Sequence, residues 1–209
     1  MSERIFNLLI ATRNPGKILE LTQMLEGSRV RLLGLGDFAA MDEVEETGRT
    51  YRANAVLKAR AYARHSGILA IADDSGLEVQ ALGGRPGVLS ARYGGEEMPF
   101  SDRIDKLLKE ISTAAEAGRR ARFACCIAVA TPAGEVVAYG RGICSGQIAV
   151  TPRGDHGFGY DPIFIPDGYA DTFGQLHSSV KSTISHRARA LAQIIPSLRV
   201  FIENQLDLR

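Results

Sequence analysis

The sequence predicts an α/β fold, and three observations predict it. The apolar run Gly67-Ile68-Leu69-Ala70-Ile71-Ala72 reads as a buried strand. An earlier run, Ile5 to Ala11, is followed by a polar, glycine-containing loop and then by Ile18, Leu21 and Leu25 at helical spacing. Later, Arg122 to Ala130 and Glu135 to Cys144 read as strands joined in a hairpin by Thr131-Pro132-Ala133-Gly134. At 209 residues, 45% of them hydrophobic, the chain is long enough to bury a core as one domain over residues 1–209, with room for two lobes.

Composition excludes several classes of function. A formal net charge of +1 provides no field to attract a polyanion, so nucleic acid is not the expected partner. Apolar runs fall far short of the ~20 residues a membrane helix needs. Met1-Ser2-Glu3-Arg4 leads into a strand rather than a signal peptide, and the expected location is the cytoplasm. Cys125, Cys126 and Cys144 lack C-x-x-C spacing, so they are expected in the core, with no disulfide framework or zinc site.

In chain order, the first loop is Thr12-Arg13-Asn14-Pro15-Gly16-Lys17. A loop opening a helix N-terminus favours an anion, and Lys17 adds positive charge, although Ile18 replaces the Ser or Thr of a Walker A loop. A solvated loop accounts for it equally well. Residues 27–46 look irregular and turn acidic at Asp42 to Glu46. Thr47-Gly48 then opens an alanine-rich helix from about Arg49 to His65, closed by Gly67. Glu46 thus lies just before a helix start, where a carboxylate is favoured. Tyr51, Asn54 and Lys58 share one face of that helix.

The strand Gly67 to Ala72 runs into Asp73-Asp74-Ser75-Gly76. Strand side chains alternate, so two adjacent acids on a continuing strand face opposite ways; one can hold a cation or a water while the other anchors a turn. The plainer reading is a strand exit in which Gly76 takes a positive φ. Leu77 to Leu82 alternates like a further strand, Gly83 to Gly87 is turn-rich, and Pro99 starts an amphipathic helix ending near Gly118. The block Gly154 to Phe164 spaces glycines around Phe158, Tyr160 and Asp161 before a strand from Ile163 to Ile165. It reads either as a place where a base stacks or as an ordinary turn. Finally, Ser185 caps a last helix, placing His186 and Arg187 in its first turn, where cations oppose the helix dipole; such a locally disfavoured pair argues for ligand binding.

These stretches resemble the inosine triphosphatase family of pyrophosphatases. The likeness is carried by Thr12 to Lys17, Glu46-Thr47-Gly48, Asn54 to Ala59, Ala72 to Leu77, Ser90-Ala91-Arg92-Tyr93, Gly157 to Pro162 and Ser185-His186-Arg187, and it spans nearly the whole chain. It implies an elongated, mixed, twisted β-sheet flanked by helices, two lobes around a nucleotide-binding cleft, and a homodimer. It also implies Mg2+-dependent hydrolysis of ITP, dITP or XTP to the monophosphate and pyrophosphate. By the resemblance, Thr12, Arg13, Asn14, Pro15, Gly16 and Lys17 bind phosphates, and Lys58 and Ser75 contact substrate. Phe158, Gly159, Tyr160, Asp161, Lys181, His186 and Arg187 hold the purine. Glu46 and Asp74 serve Mg2+, Asp74 is the base that activates water, and Asp73 supports from behind. Gln175 stands where many relatives carry an acid. The rival readings are a pyrophosphatase for modified pyrimidine triphosphates and a nucleotide sensor without turnover; retention of both Glu46 and Asp74 argues against the sensor.

Overall fold

The computed structural model describes residues 5–25, 30–39 and 41–207. The expectation for Met1 to Arg4, and parts of that for residues 27–46, lie outside the described residues. A six-stranded mixed sheet has the order β2-β1-β3-β4-β5-β6. β1 (Phe6–Ile10) pairs in parallel with β2 (Val30–Leu33) and with β3 (Leu69–Val79). β4 (Arg120–Ala130) and β5 (Val136–Ile148) are neighbours. A link as short as Thr131 to Glu135 joins only antiparallel strands. β6 (Phe164–Pro166) closes the order, antiparallel to β5. The α/β class and the hairpin expected from the sequence are both present.

The helices follow from local signals. α1 (Pro15–Leu25) has proline at its first position and is capped by Asn14, whose Oδ1 accepts the Lys17 N–H at 3.1 Å. α2 (Tyr51–Ser66) starts at the Thr50 cap, whose side chain accepts the Ala53 N–H, and ends at Gly67, which takes the left-handed conformation at φ 71°. α3 (Phe100–Glu110) is followed by α4 (Ser178–Ile184) and α5 (His186–Asp207).

Several expected boundaries are corrected. The strand does not exit at Ala72: β3 continues through Asp73, Asp74, Ser75 and Gly76 to Val79. Gly76 is not among the glycines of positive φ, so there is no turn for an aspartate to anchor. Leu77 to Val79 belongs to this same strand, and Gln80–Leu82 forms a 3-10 turn ended by Gly83 at φ 63°. The stretch read as irregular contains β2, a short edge strand with no fully buried residue. α3 stops at Glu110 rather than near Gly118, because Ser112 and Thr113 compete for the backbone and a turn closes from Ala114 to Ile111. The strand expected at Ile163 starts one residue later, Asp161–Ile163 being a 3-10 turn.

The chain forms two compact units. The first comprises Met1–Asp74, Cys126–Arg141 and Arg189–Arg209; the second comprises Ser75–Cys125 and Gly142–Ala188. In the first, one core sets Ala55, Ala59, Tyr62 and Ala63 of α2 against Ala70 and Ala72 of β3 and Cys126, Ala128 and Ala130 of β4. The second is built on Leu77, Val79, Ile104, Leu107, Ile111, Phe123, Ile163, Phe164 and Phe173. All three cysteines are buried thiols, as expected.

Close packing sets a test within the first unit. A Cβ on Gly140 of β5 would lie 2.3 Å from the Ala190 carbonyl oxygen and 2.7 Å from Cγ2 of Ile194, both on α5. Backbone cannot give way as a side chain does. Gly140→Ala is expected to destabilise the protein by ~1 to 3 kcal/mol, read as a lowered midpoint of denaturant unfolding; an unchanged midpoint would show that α5 is not seated on β5.

Candidate functional site

In the first unit the site is built on β3. Its even-numbered residues Ala70 and Ala72 are small, and so are Ala55, Ala59 and Ala63 of α2, so helix and strand approach closely. This brings two polar residues of α2 to the next even position, Asp74. Asn54, fully buried, donates from Nδ2 to Asp74 Oδ2 at 2.9 Å and accepts the Gly48 N–H on Oδ1 at 2.8 Å. One turn on, Lys58 is buried and its ammonium binds the Glu46 carboxylate. Lys58 is thus not the surface lysine its type would suggest. On the alternate face Asp73 is buried, and its Oδ2 lies 3.1 Å from Nζ of Lys17. The neighbouring acids thus make different direct contacts, Asp73 with Lys17 and Asp74 with Asn54, as strand alternation favours.

Electrostatics sharpen the difference between these groups. Burial pushes the Asp74 carboxyl up to about 6, against the pull of Lys58, and the nearby charge of Glu46 pushes the same way. For Lys58 burial acts to lower the pKa, but the charges of Asp73, Asp74 and Glu46 together outweigh it and hold the ammonium above its usual range. The result is a carboxylate that exchanges a proton near neutrality beside a cation that does not.

The loop before α1 is braced from within. Thr12 Oγ1 accepts the Asn14 N–H at 3.2 Å, and Arg13 donates to the Met41 carbonyl at 2.5 Å. The Lys17 amide is engaged by Asn14, while the Lys17 side chain meets Asp73. Pro15 and Gly16 open the helix.

In the second unit a separate polar cluster surrounds Phe158. Gly157 and Gly159 take φ of 75° and 63°, where a side chain would be strained, and a Cβ on Gly157 would meet Asp161 Oδ2 at 2.1 Å. Asp161, buried, accepts the Phe158 N–H at 2.7 Å and the ammonium of buried Lys181. That ammonium sits 4.6 Å from the Phe158 ring centroid, and the Arg187 guanidinium 5.7 Å. Arg187, only 1% exposed, also donates to Ser75 Oγ at 3.1 Å. His186 lies parallel to Phe123 with centroids 4.7 Å apart. Ser185 caps α5 as expected, accepting the Ala188 N–H.

Tyr160 is placed differently from its neighbours. Its ring is buried in the second core and its hydroxyl donates to the Ser90 carbonyl at 3.1 Å, while Ser90 Oγ accepts the Leu77 N–H. Its side chain thus braces the Gly157–Asp161 turn from behind. Gln175 caps its own turn, its Oε1 accepting the Thr172 N–H. Phe123, one aromatic within a strand, carries no signal in the sequence, and Asn54 is marked there only by the helix face it shares with Tyr51 and Lys58.

The donor set fits a hard divalent cation better than a transition metal. Glu46 and Asp74 offer oxygen, and among the described residues no group of three or more His, Cys, Asp or Glu side chains gathers into a closed cage. One or two carboxylates completed by phosphate oxygens and water is the pattern of Mg2+. Among the described residues no helix is long and apolar enough to cross a membrane.

The sequence model of the Ham1 family matches residues 8–197. The chain is 44% identical over 195 residues to a dITP/XTP pyrophosphatase of Bacillus cereus, covering 92% of this chain and 94% of that protein. It is 45% identical over 198 residues to a dITP/XTP pyrophosphatase of Mycobacterium bovis, covering 93% and 96%. Among solved structures, a HAM1 protein from Coxiella burnetii superposes with a TM-score of 0.82 at 36% identity, covering 96% of this chain and all of that one.

The raised pKa of Asp74 carries a stability consequence of definite sign. An acid whose pKa rises from 3.8 to about 6 on folding favours the native state while protonated. That contribution is complete below the unfolded pKa and is lost as pH climbs through about 6. Without added metal, the wild type should therefore lose up to ~3 kcal/mol relative to Asp74→Asn between pH 3.5 and 7. Denaturant titrations of both proteins across that range measure it; a pH-independent difference would show that Asp74 titrates as an ordinary carboxylate.

Proposed function

Because the chain belongs to the Ham1 family, we propose that it is a nucleoside triphosphate pyrophosphatase that converts dITP, ITP and XTP to the monophosphate and pyrophosphate. The observation that carries the reading is the polar cluster around β3: buried Asp74 with its pKa near 6, the half-buried second carboxylate Glu46 and the cations Lys58 and Lys17. Asp74 accepts the proton of the attacking water, the new P–O bond forms at the α-phosphorus, and the bond to the bridging oxygen breaks to release pyrophosphate. A base with a pKa near neutrality is suited to that transfer. Glu46 and Asp74 would hold Mg2+, whose contribution is to neutralise charge on the phosphate oxygens. Lys17 and the Thr12 to Gly16 loop would meet the phosphates, with Asp73 holding Lys17 in place. The enzyme acts on the nucleotide pool of the cytoplasm, as a homodimer.

Arg187 and His186 are donors at the start of α5, and Lys181 joins them through Phe158. Hypoxanthine and xanthine present an acceptor at C6 where adenine presents a donor. Donor facing donor leaves a buried group unsatisfied at ~1 to 3 kcal/mol, or roughly five to two hundred-fold per contact. Phe158 to Asp161 would frame the base, and Ser75, bonded to Arg187, would touch the substrate beside it.

Three measurements test this reading. A nucleotide panel with and without Mg2+ should give pyrophosphate from dITP, ITP and XTP only with the metal, and Asp74→Asn should lower kcat by ~10² to 10⁴-fold; orthophosphate as sole product would refute the reaction. In Arg187→Ala the preference for ITP over ATP in kcat/KM should shrink by roughly five-fold or more, and an unchanged ratio would assign the reading of C6 to another residue.

A further inference from the structure

The fully buried Asn54 touches both segments carrying the two carboxylates. Its amide has a donor end and an acceptor end, and both are committed: Nδ2 to Asp74 Oδ2 at 2.9 Å, Oδ1 to the Gly48 N–H at 2.8 Å. The polarity of these partners fixes the orientation of the amide, because a flipped group would set oxygen against carboxylate and N–H against N–H. Gly48 is fitted to it, since a Cβ there would lie 2.4 Å from Asn54 Oδ1 and 2.8 Å from the Ala53 Cβ. Two residues before Gly48 stands Glu46, whose carboxylate is held by Lys58, one helical turn beyond Asn54.

We propose that Asn54 is a positioning residue for the hydrolysis: it fixes the rotation of the Asp74 carboxylate and, through Gly48, the placement of Glu46, so that one rigid helical face sets the spacing of the two acids. The proposal rests on the reading of Asp74 and Glu46 given above. A carboxylate is a broad, roughly two-fold rotor about its terminal bond; a buried donor on one oxygen removes that freedom. The backbone of residues 46–48 lies outside any helix or strand, and the Asn54 acceptor gives it an anchor on α2. Asn54 touches no reacting atom and acts through its two partners. Losing such an orienting group typically costs ~10 to 100-fold in activity or metal affinity.

The two arms separate by substitution. Asn54→Asp keeps the acceptor for Gly48 but turns a carboxylate toward Asp74; pairing it with Asp74→Asn restores a donor and an acceptor in reversed order. The thermal midpoint should fall by several degrees in Asn54→Asp and recover in Asn54→Asp/Asp74→Asn, a coupling read without substrate or metal and independent of what the protein hydrolyses. If Asp74→Asn shifts the midpoint equally in the wild-type and Asn54→Asp backgrounds, the contact does not exist and the proposal falls. In the folded Asn54→Ala protein, kcat for dITP should drop ~10 to 100-fold with KM within about threefold of wild type. A kcat within twofold of wild type, or a loss confined to KM, would overturn the positioning role. Absence of pyrophosphate release by the wild type would instead refute the proposed reaction, while leaving the midpoint cycle to report on the contact itself.

Discussion

Two adjacent carboxylates on an interior strand remain buried only if their charge is compensated on both faces of that strand. An unpaired ion in a protein interior costs several kcal/mol even after relaxation. Asp73 and Asp74 are 1% and 4% exposed, so much of the first unit is arranged around them. Lys17 compensates Asp73 from the first turn of α1, and Asn54 and Lys58 serve Asp74 and Glu46 from α2. The alanines of α2 and β3 follow from the same constraint: bulkier side chains at Ala55, Ala59, Ala70 or Ala72 would move the helix out of hydrogen-bonding reach. Compensation is incomplete at Asp74, where burial dominates and the carboxyl sits near 6. A carboxyl with a pKa near neutrality can exchange a proton with water at little cost in either direction.

The second unit solves the opposite problem. Lys181 and Arg187 place positive charge at and just before the start of α5, where the helix dipole is also positive. Asp161 offsets part of it through Lys181, and the ring of Phe158 faces the Lys181 ammonium and the Arg187 guanidinium. Burial of Arg187 to 1% exposure is then tolerable because its guanidinium has both an aromatic face and the Ser75 hydroxyl.

Much of this was legible in the sequence, for identifiable reasons. Strands β1, β4 and β5 and helices α2 and α5 carry strong periodicity or caps. The resemblance named the residues of both clusters because their motifs are specific. What escaped depends on tertiary context. β2 is four residues long and half-exposed, so nothing local marks it. The pair Asp-Asp before Ser-Gly looks like a strand exit, yet β3 continues because the cations that make it tolerable come from residues far away in sequence. Tyr160 sits in a ligand-like motif but turns its ring into the core, a choice made by Ser90 and Phe100. Asn54 shows its importance only once Gly48 and Asp74 are seen on either side of its amide.

The path of the chain has a consequence for how the molecule is made. The first unit takes its opening segment from Met1–Asp74 and its closing segment from Arg189–Arg209, and the chain passes from one unit to the other within β3, β4, β5 and α5. On the ribosome, which delivers residues at about 5–20 per second, the acids of β3 emerge many seconds before the final helix whose Ala190, Leu191 and Ile194 are buried. Until then the nascent chain carries its charged residues on an unfinished core. Neither unit is a continuous stretch of sequence, so neither can be inherited or transplanted as a single uninterrupted segment.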